Sequence, residues 1–523
     1  MSSITLEQNS VVECDSRLLA VDAFAGTGKT STLVEYSLRR PEKKILYIAF
    51  NKSVACEAGA RFPENVQCRT THSLAYSRVG KRYQEKLGNP QVWEVAQTFQ
   101  CNNKRAKDAL DTLASWFYSA DTVVAEEHLD PDLQSDPAGA FDVIQLASKV
   151  WASMKDKRSP IKMPHDGYLK IWALEHPHLP FDIILLDEAQ DTNPVTLEVV
   201  MRQDCQKVLV GDRHQGIYGF RRAINAMEMV EAETRIALTQ SFRFSEKIAG
   251  IASALLAEFK GEKKVISGRT DLINVWEVDQ SRQYAIIGRT NAGLFASAAQ
   301  LVLDEDVRLH FIGGFDSYLF GKVLDAYYLW ADERSRIKNP SIGRFGSFLD
   351  FKGYGTEAGD AEISALVKTV EEFGGRIPGI YDAIKAAQVA LQEKANVILT
   401  TAHRAKGLEF KQVYLQDDFI ELPPESPFDI EEINLLYVAL TRAVDAVRLP
   451  ESLVRWISDR RRRPVGQTVE VERVEPQDWM AISGGWPEQE NWLRANSAVF
   501  DPVSGGAIRF LLERIDVLRD ALG

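Results

Sequence analysis

The chain has 523 residues, 45% hydrophobic, 26% charged and 9% aromatic, a composition that excludes a mostly disordered chain, a collagen-like fibre and a disulfide scaffold. No run approaches the roughly 18–20 apolar residues that span a bilayer, and the polar, acidic start lacks the build of a signal peptide, so no membrane partner and a cytoplasmic setting (nuclear in a eukaryote) are expected. Lys and Arg number 62 against 74 Asp and Glu, net −12, which argues against general coating of duplex DNA while leaving room for a local basic groove.

In chain order, Leu18–Ala23 reads as a strand entering a Gly-rich turn, and Gly28–Arg40 as a helix stopped by Pro41. Lys44–Phe50, Phe181–Leu186 and Lys207–Val210 are further apolar strands. Strands alternating with helices indicate a parallel sheet covered on both faces. Residues 78–179 are helical in pattern and read as an insertion. A second α/β pattern begins near residue 235, with short apolar runs at Tyr284–Ile287, Leu309–Ile312, Val397–Leu399 and Val413–Leu415. It is interrupted from about 335 to 393 by a Gly-rich and then helical stretch. The tail carries the basic run Arg460–Arg463 and several Trp residues, read as core or interface anchors. Five cysteines without a C-x-x-C pair argue against a metal knuckle or disulfide framework.

The strongest local signal is AFAGTGKTS, Ala23–Ser31, after a strand and opening a helix. Backbone N–H groups of such a loop wrap phosphates, Lys29 reaches the β and γ phosphates, and the Thr30 hydroxyl suits magnesium. A bare Gly-rich turn is the alternative. In ILLDEAQD, Ile184–Asp191, a strand ends in adjacent carboxylates: Asp187 suits magnesium and Glu188 suits deprotonating a water. An acidic helix start would look the same in isolation. VLVGDRHQGIYGFRRA, Val208–Ala223, supplies Gln215, whose amide can bond both a γ-phosphate and the attacking water. Tyr218 and Phe220 beside Arg221 and Arg222 suit base stacking on a single strand, with a core aromatic pair as the competing reading.

The order of these blocks resembles the superfamily 1 DNA helicases of the Rep/UvrD type, with a compact core similar to the F-box DNA helicase and related phage and bacterial proteins. The resemblance implies an α/β fold of two RecA-like parallel-sheet motor domains with the P-loop NTPase fold, each interrupted by a mainly helical insertion. The first motor domain would span 1–77 and 180–241 around the insertion 78–179. The second would span 242–334 and 394–450 around a small insertion 335–393, leaving a tail 451–523 of unknown role. It also implies ATP and Mg2+ as cofactors. Gln8 would read adenine, Ala25, Gly26, Thr27, Gly28, Lys29, Thr30 and Ser31 would form the phosphate loop, Phe242 would stack on adenine, and Glu409 would face the ribose. Arg243 and Arg442 would approach the γ-phosphate. Phe50, Asn51, Thr71, His72, Tyr218, Phe220, Arg221, His403 and Lys406 would contact DNA. His72 is equally readable as a structural histidine, and a lone Arg as a surface ion pair. Ser31 stands where many relatives carry an arginine, and Phe220 where they carry Trp.

On this reading ATP binds in a cleft between the motor domains, and hydrolysis drives 3′→5′ movement along one strand. The expected partners are single-stranded DNA and tailed duplex DNA, with a protein partner through the tail. Competing readings are an ATPase subunit of a larger repair or phage-defence complex, a nucleotide-dependent switch that binds without moving, an RNA track, and a small-molecule kinase. The kinase would leave Gln215, Phe220, Arg243 and Arg442 without purpose.

Overall fold

The computed structural model describes residues 4–219, 224–270, 277–303, 306–357, 361–424 and 428–462. It divides into two compact units at Thr239/Gln240, and each has a mixed α/β architecture with a parallel sheet.

The first unit is built on β1 (Leu18–Ala23), β2 (Ile45–Ile48), β3 (Val66–Arg69), β4 (Ile183–Leu186), β5 (Gln206–Gly211) and β6 (Thr234–Leu238). Their order in the sheet is β3-β2-β4-β5-β1-β6, every pairing parallel. β2 and β4 are buried along their whole length, as expected of strands covered on both faces. Period-2 alternation divides their side chains. Leu19, Val21, Ile45, Tyr47, Leu185, Val208 and Val210 enter one core with Leu33 and Tyr36 of the helix Lys29–Leu38. Ala20, Leu46, Ile48, Ile184, Leu186 and Leu209 enter a second core. The helices of the 78–179 stretch, chiefly Asn103–Tyr118, Pro137–Lys155 and His165–Leu174, complete that core with Trp116, Trp151 and Trp172. Thr234–Leu238 pairs with β1 at the edge of the first sheet, so the second α/β pattern begins a few residues after 235. This strand and β3 are only partly buried, which is why no apolar run announced them.

In the second unit, β7 (Gln240–Ser245) and β8 (Ser267–Arg269) form a small pair. The main sheet contains β9 (Tyr284–Gly288), β10 (Leu309–Phe311), β11 (Val397–Thr401), β12 (Phe410–Leu415) and β13 (Ala443–Arg448), in the order β10-β11-β9-β12-β13, again all parallel. Side chains from the 335–393 stretch, among them Ile342, Phe351, Val370, Ile377 and Ile384, join Tyr284, Ile286, Leu309 and Leu399 in one cluster. That stretch packs on the sheet's own core. The helix Glu451–Arg462 is anchored by Trp456, whose indole N–H donates to Glu258 at 3.1 Å, and Arg460 donates to the same carboxylate at 2.6 Å. Trp479, Trp486, Trp492 and Arg463 lie outside the described residues.

Candidate functional site: a phosphate loop facing two carboxylates

The central strands β4, β5 and β1 are neighbours, and each releases a motif from its carboxyl end. Ligands of open parallel sheets bind there. After β1 the loop turns through Gly26 and Gly28, at φ 74 and 77, values that side-chain-bearing residues resist. Thr27 is buried and donates its hydroxyl to the Phe24 carbonyl at 2.8 Å. Ala25 is buried as well, Thr30 is partly exposed, and Ser31 is exposed and accepts from Arg61 at 3.0 Å.

Lys29 begins the following helix, and its Nζ lies 3.0 Å from Glu188 Oε1. Burial alone would lower the lysine pKa, but the Glu188, Asp187 and Asp212 carboxylates outweigh it and hold the ammonium above its usual range. Asp187 shows the reverse balance. Burial and the adjacent Glu188 raise its carboxyl, against Lys29 and a hydrogen bond from Tyr47. Tyr47, buried in β2, has its phenol pushed up by burial and by Asp187, so it stays a donor. Glu188 adopts a left-handed backbone, φ 51, stabilised in part by its own N–H donating to Asp187 Oδ1 at 2.9 Å.

Gln190 ties the two acidic strand ends together. Its amide donates to Glu188 Oε2 at 2.5 Å and Asp191 Oδ2 at 3.1 Å, and its carbonyl accepts from Asp212 N–H at 3.1 Å. Asp212 accepts in turn from the Gln215 side chain at 2.7 Å. The structure therefore joins Lys29, Asp187, Glu188 and Gln215 in one network. Sequence reasoning missed Tyr47 and Gln190. Gln190 stood inside the quoted DEAQD block, whereas Tyr47 had no signal beyond one polar atom in an apolar strand.

Gln8 is buried beside the loop. Its carbonyl accepts from Thr5 N–H at 2.9 Å in a capping box, and its amide donates to the Thr27 carbonyl at 3.3 Å. Asn51 caps the helix Lys52–Arg61 by accepting from Val54 N–H at 2.9 Å. Phe50 and Tyr218 stack at 5.6 Å with planes 11° apart. Both line a cavity of about 210 Å³ with Thr71, His72, Tyr118, Asp166, Asp187 and Glu188. Four of the expected DNA residues thus share a wall with the two carboxylates. Phe220, Arg221 and Arg222 lie outside the described residues.

In the second unit Arg243, on β7, donates to Glu409 Oε2 at 3.0 Å and to the Thr441 carbonyl at 3.2 Å. Arg442 is 1% exposed. It donates to the carbonyls of Val438 and Leu408 at 2.9 and 3.2 Å and to the Thr441 hydroxyl at 3.0 Å. Its depth differs from the expectation of a guanidinium presented to phosphate. Phe242 is exposed, and His403 and Lys406 are partly exposed on and just after the short helix Ala402–Ala405.

Residues 133–234 match the UvrD/REP helicase N-terminal domain, and residues 380–449 match the UvrD-like helicase C-terminal domain. The chain is 34% identical over 485 residues to F-box DNA helicase 1 of Gallus gallus, covering 84% of this chain and 48% of that protein. It is 29% identical over 511 residues to F-box DNA helicase protein 1 of Schizosaccharomyces pombe, covering 86% and 58%. A probable DNA helicase II homolog of Mycoplasma pneumoniae is 22% identical over 599 residues, covering 84% and 83%. The chain thus spans about half the length of the F-box relatives.

Proposed function

From a chain that carries UvrD/REP-type helicase domains in both halves, we propose an ATP-driven translocase that moves 3′→5′ on single-stranded DNA and unwinds tailed duplexes, in repair, recombination or replication. The observation that carries it is the wall shared by the stacked pair Phe50–Tyr218 and the carboxylates Asp187 and Glu188. A base-stacking surface and a phosphate-transfer centre adjoin one cavity, which a kinase or a simple switch does not require.

The residues fit the chemistry. Lys29 neutralises phosphate charge, and release of its bond to Glu188 on nucleotide binding leaves that carboxylate to accept the proton of the attacking water. Gln190 keeps Glu188 oriented while this happens. Thr30 and Asp187 offer the hard oxygens that suit Mg2+, which when bound would neutralise charge on the β and γ phosphates. Gln215, fixed by Asp212, responds to the γ-phosphate. Arg243 serves the same phosphate from the second unit, with Phe242 on the base and Glu409 on the ribose, while Arg442 braces Thr441, whose carbonyl Arg243 also uses. His403, Lys406, Phe50, Asn51, Thr71, His72, Tyr218, Phe220 and Arg221 serve the strand.

The test is ATP hydrolysis with and without an oligo(dT) strand, beside Lys29→Ala. Strong stimulation that vanishes in the variant supports the motor, and duplexes tailed at either end then read the polarity. A folded, ATP-binding protein without stimulation would overturn the reading.

A further inference from the structure

His72 opens the helix Thr71–Arg78, whose start is fixed by a capping box between Thr70 and Ser73. Its Nε2 lies 2.9 Å from Asp166 Oδ1, and the other oxygen of that carboxylate accepts the Tyr118 hydroxyl at 2.9 Å. Tyr168 meets the imidazole edge-on at 6.3 Å. These partners are distant in sequence. Tyr118 ends one helix of the 78–179 stretch, and Asp166 sits in the first turn of another. All of them except Tyr168 line the cavity that reaches Asp187 and Glu188. Burial would raise the Asp166 carboxyl, but the bonds from His72 and Tyr118 outweigh it and hold it below the usual carboxylate range. An ionised carboxylate accepts only, so the 2.9 Å contact is made by a hydrogen on His72 Nε2. The contact fixes the imidazole in orientation, with 41% of its side chain still exposed.

We propose that Asp166 and Tyr118 are positioning residues that the helical insertion contributes to the track: they lock His72 in the pose that receives a single strand at the mouth of the catalytic cavity. The proposal rests on the reading of His72 as a strand contact. It assigns the insertion a part in sensing the strand as well as in packing. The strand would meet a pre-oriented imidazole without the entropy loss of ordering it.

The test measures ATP hydrolysis against oligo(dT) concentration for wild type, Asp166→Ala, Tyr118→Phe, His72→Ala and the double variant Asp166→Ala/His72→Ala. Losing a charge-assisted hydrogen bond at a positioned ring is expected to raise the half-maximal oligo(dT) concentration about 5- to 30-fold in Asp166→Ala. The turnover at saturating strand should change far less. Tyr118→Phe, which keeps the ring, should give a smaller shift of the same kind. In the His72→Ala background the Asp166 substitution should add almost nothing, because the group it positions is gone. Fully additive effects, or a fall in saturating turnover without a shift in half-maximal concentration, would overturn the proposal while leaving the motor reading intact. No stimulation of the wild type at any oligo(dT) concentration would overturn both.

Discussion

Lys29 and Arg442 are two cations that the motif order assigns to the same phosphates, and the two units hold them in contrasting ways. The Lys29 ammonium faces Glu188 directly, with Asp187 and Asp212 adding to the negative field. Phosphate can replace those carboxylates as its counter-charge, so the cation is held in a form that exchanges partners. Arg442 lies deeper and donates to carbonyls at Val438, in the preceding helix Ile430–Leu440, and at Leu408, in the turn before β12. Those bonds tie the helix end to the turn, and removing the guanidinium forfeits several charge-assisted hydrogen bonds at once. A motif position thus predicts the residue type, whereas the partners decide whether the charge is available or structural.

The sharpest way to break that contrast is at Lys29. Lys29→Ala should lower ATP turnover about 100- to 1000-fold, the scale of removing a transition-state charge donor, with the melting temperature little changed. Glu188→Gln should cost about 100-fold or more in turnover while nucleotide affinity, measured by titration calorimetry, stays within a few-fold. Equal losses of affinity and turnover would show that Glu188 mainly positions Lys29.

Arg442→Ala tests the other side. It should destabilise the second unit by about 1–3 kcal/mol through the loss of its charge-assisted hydrogen bonds, read as a lower denaturation midpoint, whereas Arg243→Ala should lose turnover with a smaller stability change. An Arg442→Ala protein of unchanged stability would remove the contrast. A smaller effect is expected at Tyr47→Phe. Deleting the hydroxyl that donates to Asp187 should raise the Mg2+ concentration for half-maximal turnover a few-fold, the worth of one hydrogen bond.

A fully buried lysine sharpens the point within the first unit. Lys170 donates to the Ser119 carbonyl at 2.8 Å and lies over the Trp116 ring. Burial lowers its pKa to about 8, against a weaker opposing pull from Asp121. Since its folded pKa is below the unfolded value of 10.5, the unfolded chain binds more protons between those values. Stability from this group therefore rises with pH from about 8 to 10.5. Lys170→Met should flatten that rise in urea denaturation compared at pH 7.5 and 9.5, and an identical pH profile in both proteins would refute the assignment.

Much of the central fold was legible because its strands are short continuous apolar runs. Leu18–Ala23 has the same bounds in sequence and structure. β3, β6 and β13 escaped notice because partial burial mixes polar residues into them. Gly26, Gly28, Lys29, Asp187 and Glu188 could be named at once, since a phosphate loop and a strand-end carboxylate pair are each written in a few consecutive residues. Gln8 and Asn51 were named as ligand contacts, and the structure uses their polar atoms in helix caps and, for Gln8, in a bond to the phosphate loop.

The sequence by itself determined the alternation of strands and helices, the conformations that Gly26 and Gly28 allow, and the side chains present at each strand end. These follow from local sterics, periodicity and the chemistry of adjacent residues. Only the tertiary structure decided which acceptor each donor meets. Tyr47 reaches Asp187 across 140 residues, and His72 reaches Asp166 across 94. Arg442 likewise reaches the Leu408 carbonyl across 34 residues. Hydrogen-bond direction and desolvation are properties of packed neighbours, and distance along the chain carries no record of which neighbours those will be.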